Sequence, residues 1–283
     1  MDRIILSADR ICDLNPELIK KFEVQTIPYT IILGNKSYKD NVDITPAHIY
    51  KAYEEEKILP KTTAINVIEY YNYFKAWVDE GYKVIHITLG SALTSSYNNC
   101  VLAAKELGNV YTIDSQNLSM GTGMLVLKAR ELIDQGLSID EIVAQLEEHR
   151  SKIHASFILD TLEFLHAGGR CSKIASLGSN ILRIKPVINV DNRSGAMSVG
   201  NKYRGALDKS IAKYIKDKLS SHDNINPKRM IIAHSGIDPS CIEIAKQAAA
   251  KMIDFEDIYI TRASCTISSH CGPNTLGIAF ETK

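Results

Sequence analysis

The chain carries no excess charge of either sign: 33 Lys and Arg are balanced by 33 Asp and Glu, so its formal net charge at pH 7 is zero. No global field then draws it to nucleic acid or to an anionic membrane. Long hydrophobic runs are missing as well. No apolar stretch approaches the roughly 20 residues needed to span a bilayer, and stable membrane insertion is not expected. The first residues, Met1-Asp2-Arg3-Ile4-Ile5-Leu6-Ser7, enter a short apolar run without a signal-peptide pattern, so a cytoplasmic protein is expected. Paired cysteine motifs are absent. Cys265 and Cys271, the nearest two of six, are separated by five residues, which fits neither a zinc knuckle nor a redox Cys-x-x-Cys. The thiols are expected to be reduced and mostly buried.

Several catalytic signatures are lacking too. Ser91, Ser95 and Ser115 do not sit in a G-x-S-x-G elbow, which argues against one common hydrolase architecture. The eight histidines form no H-E-x-x-H and no i, i+4 pair, so no metal site is expected. Neither a G-x-x-x-x-G-K-[ST] loop nor a G-x-G-x-x-G after the first strand is present, and no nucleotide or other cofactor is expected. Gly121-Thr122-Gly123 falls where a helix should run and reads as a site of close helix packing.

What is there is an α/β pattern. A length of 283 residues suits two domains, each able to bury a core. In the first half, extended runs at Ile4–Leu6, Thr26–Leu33, Val84–Thr88 and Val110–Ile113 alternate with helical segments. Those segments lie near Asn15–Phe22, from Thr45-Pro46, and at Ile68–Glu80, Ser95–Leu107, Leu118–Gln135 and Ser138–Ser151. That alternation predicts parallel βαβ units. In the second half, Lys185–Asp191 and Ala196–Asn201 flank an Asn-Arg-Ser-Gly turn, which predicts an antiparallel hairpin within a mixed sheet. Strands at Ala155–Leu159, Met230–His234, Ile258–Arg262 and Gly277–Glu281 join it. Helices are expected at Thr161–His166, Ala206–Leu219 and Ser240–Met252. The boundary is expected near residues 152–156, giving domains 1–154 and 155–283 in close contact.

Four segments set small polar residues where ligands collect in such folds. They are Lys61-Thr62-Thr63, Leu89 through Tyr97, Asp114 through Gly121, and Ser268 through Gly277. Beyond the carboxyl ends of parallel strands, helix N-termini and hydroxyls suit a carboxylate or phosphate. Each hydroxyl taken singly also reads as an ordinary helix cap. Arg170 and His270 taken singly read as a helix-end cation and a loop residue. Facing the hydroxyl clusters together, they would supply charge-assisted contacts to an anion.

Taken in order, these segments resemble the DegV family of bacterial fatty-acid-binding proteins along the whole length. The resemblance runs through Asp9, Asp13-Leu14, Ile27-Pro28 to Asp43-Ile44-Thr45, Lys61-Thr62-Thr63, and Ser91 to Tyr97. It continues through Asp114-Ser115, Ser119-Met120-Gly121, Leu162 to Leu165, Gly168-Gly169-Arg170, and His270 to Gly277. It implies a Rossmann-like first domain, supplying hydroxyls to a head group, and a second α/β domain enclosing an acyl chain. The implied ligand is a long-chain fatty acid such as palmitate, stearate or oleate. By position, Thr62 and Thr94 match the family's carboxylate contacts, with Ser91 and Thr63 secondary. Arg170, His270 and Gly272 belong to motifs near the head group. A partner similar to a dihydroxyacetone kinase, which phosphorylates the bound carboxylate, is also implied, with this chain the non-catalytic lipid carrier. Arg10 replaces a family serine, Ile65-Asn66-Val67 replaces a Q-P-S run, and Ser95 replaces a glycine. These departures bear on chain preference and kinase recognition. The competing class is an acyl hydrolase or acyl transferase using Ser91 or His270.

Overall fold

The computed structural model describes residues 3–171 and 184–283. It is the expected α/β architecture: a parallel sheet and a mixed sheet, with helices between and around them. The first sheet has the order β2-β1-β6-β7 and every pairing in it is parallel. Its strands are β1 (Ile4–Asp9), β2 (Val24–Ile27), β6 (Lys83–Thr88) and β7 (Val110–Asp114). Between them run α1 (Pro16–Lys21), α2 (Pro46–Glu56), α3 (Val67–Asp79) and α4 (Ser96–Leu107). Local chemistry explains the starts: Asn15 caps α1 ahead of Pro16, and Asn66 and Glu69 form a reciprocal capping box at α3, satisfying N–H groups a helix leaves open.

The second sheet has the order β10-β9-β8-β13-β11-β12. Its strands are β8 (Ile153–Ile158), β9 (Ile184–Val190), β10 (Met197–Arg204), β11 (Ile225–His234), β12 (Asp257–Arg262) and β13 (Leu276–Thr282). All its pairings are antiparallel except β11 with β12, and β9 and β10 form the expected hairpin. Its helices are α7 (Glu163–Gly168), α8 (Leu207–Leu219), α9 (Pro239–Ala250) and α10 (Cys265–Cys271). Among the described residues, no helix is long and apolar enough to cross a membrane.

Between the sheets lies α5 (Ser119–Asp134), followed by α6 (Ile139–His149). Ser119 through Leu127 are buried without a break, because this helix packs toward both sheets and has no solvent face there. One apolar core joins Leu6 and Ile85 of the first sheet, Leu125 of α5, and Phe157 and Ile231 of the second. The two glycines expected to permit close packing do so. A Cβ on Gly123 would stand 2.6 Å from the Cys12 carbonyl oxygen, and one on Gly121 would strike the Asn117 amide at 1.9 Å. All six cysteines are buried and free.

Two expectations are corrected. The extended run Thr26–Leu33 is two strands in two sheets. Pro28 lacks the N–H a ladder requires, so β2 ends at Ile27 and β3 (Thr30–Leu33) starts a separate antiparallel sheet with β4 (Lys36–Lys39) and β5 (Lys61–Thr63). That small sheet packs on the second half, where Ile31, Ile44 and Ile49 meet Phe164 and Cys265. In addition, Ser268 to Cys271, with His270 read singly as a loop residue, completes helix α10. Ser264 caps it and Gly272, at φ +73°, ends it. Its serines sit buried because Ser269 Oγ donates to the Cys265 carbonyl at 2.7 Å, a back-bond that satisfies a hydroxyl inside a helix.

Candidate functional site

Where the two large sheets and the small one meet, a cavity of about 280 Å³ opens. Its polar groups gather from separate elements. Thr62 comes from β5, Thr94 from the connection between β6 and α4, His270 from α10, and Arg170 from just beyond α7. Thr63 and Thr266 add hydroxyl-bearing wall. Leu89, Leu93, Leu118, Phe157, Leu165 and Ile267 also line the space. The apolar lining is therefore drawn from both halves of the chain. A second cavity of about 30 Å³ shares Leu118, Phe157, Ile267 and Cys271 with the first. It runs on toward Met120 and Gly277.

The polar end is wired across the molecule. Thr62 Oγ1 lies 2.8 Å from His270 Nε2, a contact between residues 208 apart in sequence. His270 titrates at about 4, pushed down first by burial and then by the nearby charge of Arg170, so it is neutral at pH 7. Its Nδ1 is buried with no partner among the described residues. Gly168 gives the imidazole its room, since a Cβ there would stand 2.2 Å from Nδ1. With the proton on Nε2, His270 donates to Thr62, whose own proton is then free for a ligand. Thr94 Oγ1 accepts from the Ser96 backbone N–H at 3.2 Å and lies 3.0 Å from Ser96 Oγ. Arg170 is exposed at the mouth and donates to the Gly168 carbonyl at 2.7 Å.

The N-terminal turn of α10 is held from the first half of the chain. Asp40, fully buried, accepts from Cys265 N–H at 2.7 Å, Thr266 N–H at 2.8 Å and Thr266 Oγ1 at 2.6 Å. Asp13 accepts from the Ser264 N–H at 2.9 Å and from Ser119 Oγ at 2.5 Å. Burial raises the Asp13 carboxyl from an ordinary 3.8 to about 7, against the pull of those hydrogen bonds.

Of the residues singled out from sequence, Thr62, Thr63, Thr94, Arg170 and His270 come together at this cavity. Ser91 does not line it: its hydroxyl donates to Asp114 Oδ2 at 2.6 Å and its N–H to Oδ1 at 3.0 Å, tying down the loop after β6. Gly272 does not line it either. Its positive φ ends α10, and a Cβ there would press on the Phe164 ring at 2.9 Å. Sequence reasoning missed Tyr29 and Thr266 on the wall. Thr266 lies just upstream of the flagged Ser268 cluster, whereas no local pattern marks Tyr29.

Fold and cavity together define a class: two-sheet α/β proteins with an internal cavity lined by both hydroxyl-bearing and apolar side chains. Residues 3–283 match the model of the DegV family, described as uncharacterised proteins, and this chain belongs to that family. A DegV domain-containing protein of Clostridium acetobutylicum is 36% identical over 99% of both chains. Among solved structures, a fatty-acid-binding DegV family protein of Thermus thermophilus superimposes with a TM-score of 0.89 at 27% identity. That match covers 99% of this chain and 100% of the other. A Thermotoga maritima protein whose structure reveals fatty acid binding function gives 0.86 at 25% identity, covering 100% of both.

Proposed function

We propose that this protein binds one long-chain fatty acid, with its tail along the apolar wall and its carboxylate between Thr62 and Thr94. Thr63 completes the hydroxyl set. His270 orients Thr62, and Arg170 supplies positive charge at the mouth. The observation that carries this reading is the mixed lining of the cavity, in which hydroxyls, a neutral imidazole and a guanidinium stand among aliphatic and aromatic side chains. Its volume of about 280 Å³ is near the roughly 300 Å³ lower end for small-ligand sites. The fatty-acid binding of the Thermus and Thermotoga proteins supports the same ligand class.

Tail burial dominates the energetics. At about 0.8 kcal/mol per methylene, a C16–C18 tail brings roughly 10 kcal/mol before ordering costs. A hydroxyl bond adds about 1 kcal/mol net and chiefly sets orientation. The protein then acts as a carrier that presents its carboxylate to a fatty acid kinase similar to a dihydroxyacetone kinase, and exposed Arg170 is the side chain placed to meet it. Native mass spectrometry of the purified protein, with extraction and identification of what is released, tests the binding. One fatty acid per chain supports it. A chain that arrives empty and refuses added fatty acids overturns it and brings forward acyl hydrolysis or transfer. A pull-down with the kinase subunit, scored for acyl phosphate, tests the partnership.

A further inference from the structure

The first turn of α4 is bonded to both hydroxyl-bearing edges of the cavity. Ser96, its first residue, is fully buried and does not line the cavity itself. Its Oγ accepts from the Ile65 N–H at 3.1 Å and lies 3.0 Å from Thr94 Oγ1. Asn99, three residues on, donates from Nδ2 to the Ile65 carbonyl at 2.8 Å. Both polar backbone groups of Ile65 are therefore held by α4, two residues beyond the end of β5. Thr62, Thr63 and Ala64, just before it, line the cavity. Of the two α4 side chains, Ser96 also bonds the second edge, at Thr94.

A hydroxyl has one proton to give and two acceptor sites. On Thr94 Oγ1 one site is filled by the Ser96 N–H at 3.2 Å, and on Ser96 Oγ one is filled by the Ile65 N–H. One proton lies between the two oxygens, and burial decides whose it is. Were Thr94 to donate, both acceptor sites of Ser96 would be filled. Its own proton, fully buried, would then fall outside the hydrogen bonds that the described residues form, at a cost of about 1–3 kcal/mol. With Ser96 donating, both sites on Thr94 are filled instead, and the unspent proton sits on a side chain that lines the cavity. Thr94 can then only donate.

We propose that Ser96 is a positioning residue of the head-group end: it fixes Thr94 as a donor and ties it to the strand carrying Thr62 and Thr63, without meeting the ligand itself. This rests on the fatty-acid reading above and adds to it that Thr94 demands an acceptor, such as a carboxylate oxygen, from whatever it meets.

The test uses the full-length protein and palmitate carrying ¹³C at its carboxyl carbon. Affinity, the bound carboxyl resonance and the melting temperature are compared in wild type, Ser96→Ala, Thr94→Val, the double variant and Asn99→Ala. Ser96→Ala is expected to shift the resonance and weaken affinity by about three- to tenfold, the value of one hydrogen bond. Because Ser96 acts through Thr94, the double variant should bind no more weakly than Thr94→Val alone. Asn99→Ala loosens Ile65 but leaves the bonds of Thr94 in place. It is expected to lower the melting temperature, with resonance and affinity as in wild type. Ser96→Cys, close in size and with only a weak S–H, carries the same comparison where Ser96→Ala does not fold. Wild-type resonance and affinity in the folded Ser96 variant, losses that multiply in the double variant, or an equal resonance shift in Asn99→Ala overturns the proposal. Wild-type protein that takes up no palmitate overturns this proposal together with the fatty-acid reading, a result distinct from the other three.

Discussion

At its polar end the cavity draws Thr62, Thr94, His270 and Arg170 from four separate places in the chain. They are held by hydrogen bonds such as the 2.8 Å contact of Thr62 with His270 and the grip of Asp40 on α10. In the smaller cavity beside it, which is mostly apolar, Phe157 of β8, Met120 of α5 and Gly277 of β13 stand on regular elements and are held by shape: a Cβ on Gly277 would lie 2.5 Å from Met120 Cε. Polar positioning is directional and depends on distant partners, whereas packing is dense but tolerates a flexible thioether that can shift. The apolar end should therefore control how tightly a ligand binds, and the polar end which way round it lies.

The largest expected effect breaks that division if it fails. Shortening the ligand from sixteen to twelve carbons removes four methylenes, about 3 kcal/mol, or roughly 200-fold in affinity. Calorimetric titration of the two acids measures it, and near-equal affinities would show that tail burial is not dominant. Next comes the polar end. Thr62→Val combined with Thr94→Val should cost about 2 kcal/mol, roughly 30-fold, and leave the bound carboxyl disordered. Unchanged affinity with an ordered carboxylate in that double variant removes both residues from the site.

The two ends also differ in the sign of their pH dependence. His270 is held below its ordinary 6.5, at about 4. The unfolded chain then binds the extra proton between those values, so His270's contribution is present above pH 6.5 and is lost as pH falls toward 4. Asp13, whose partner Ser119 borders the smaller cavity, is raised from 3.8 to about 7. Its contribution is present below pH 3.8 and is lost as pH rises through 7. Followed by urea unfolding from pH 4 to 7.5, stability should thus rise with pH in Asp13→Asn, where the His270 contribution stands alone, and fall with pH in His270→Asn, where the Asp13 contribution does. The same slope in both variants would erase the contrast. The smallest effect is expected from Gly277→Ala. Met120 should swing aside while Phe157 Cβ, 3.1 Å from the new methyl, gives a few tenths of an ångström, at a cost of about 1 kcal/mol, and extracted ligands should shorten by about one or two carbons. An unaltered chain-length profile would mean that the tail does not reach Met120.

Local pattern was enough for the parallel strands β1, β6 and β7, the hairpin β9–β10 and the long helices, because period and capping are written within each segment. It could not divide the run 26–33, since which sheet a strand joins depends on partners elsewhere: Ile27 pairs with Asp9 and Thr30 with Lys39 and Thr63. Most of the polar end was visible as hydroxyl clusters at element boundaries. Ser91 carried the same local signal as Thr94, and only the fold shows its hydroxyl turned onto Asp114. Tyr29 carried no signal because its place on the wall comes from Asp9, a contact across 20 residues that no period encodes.

The Asp40 grip on α10 has a consequence for how the chain is made. Asp40 and Cys265 are 225 residues apart, and synthesis proceeds at about 5–20 residues per second. Asp40 therefore leaves the ribosome on the order of 10–45 seconds before the backbone amides it will hold. During that interval the small β-sheet lacks α10, whose Cys265 packs with Ile31, Ile44 and Ile49 in the finished protein. The wall carrying His270 is among the last parts completed, so a ribosome-bound chain lacking its final twenty residues has no closed cavity. Limited proteolysis of stalled nascent chains should find the connection between β2 and β5 open to cleavage until α10 has emerged.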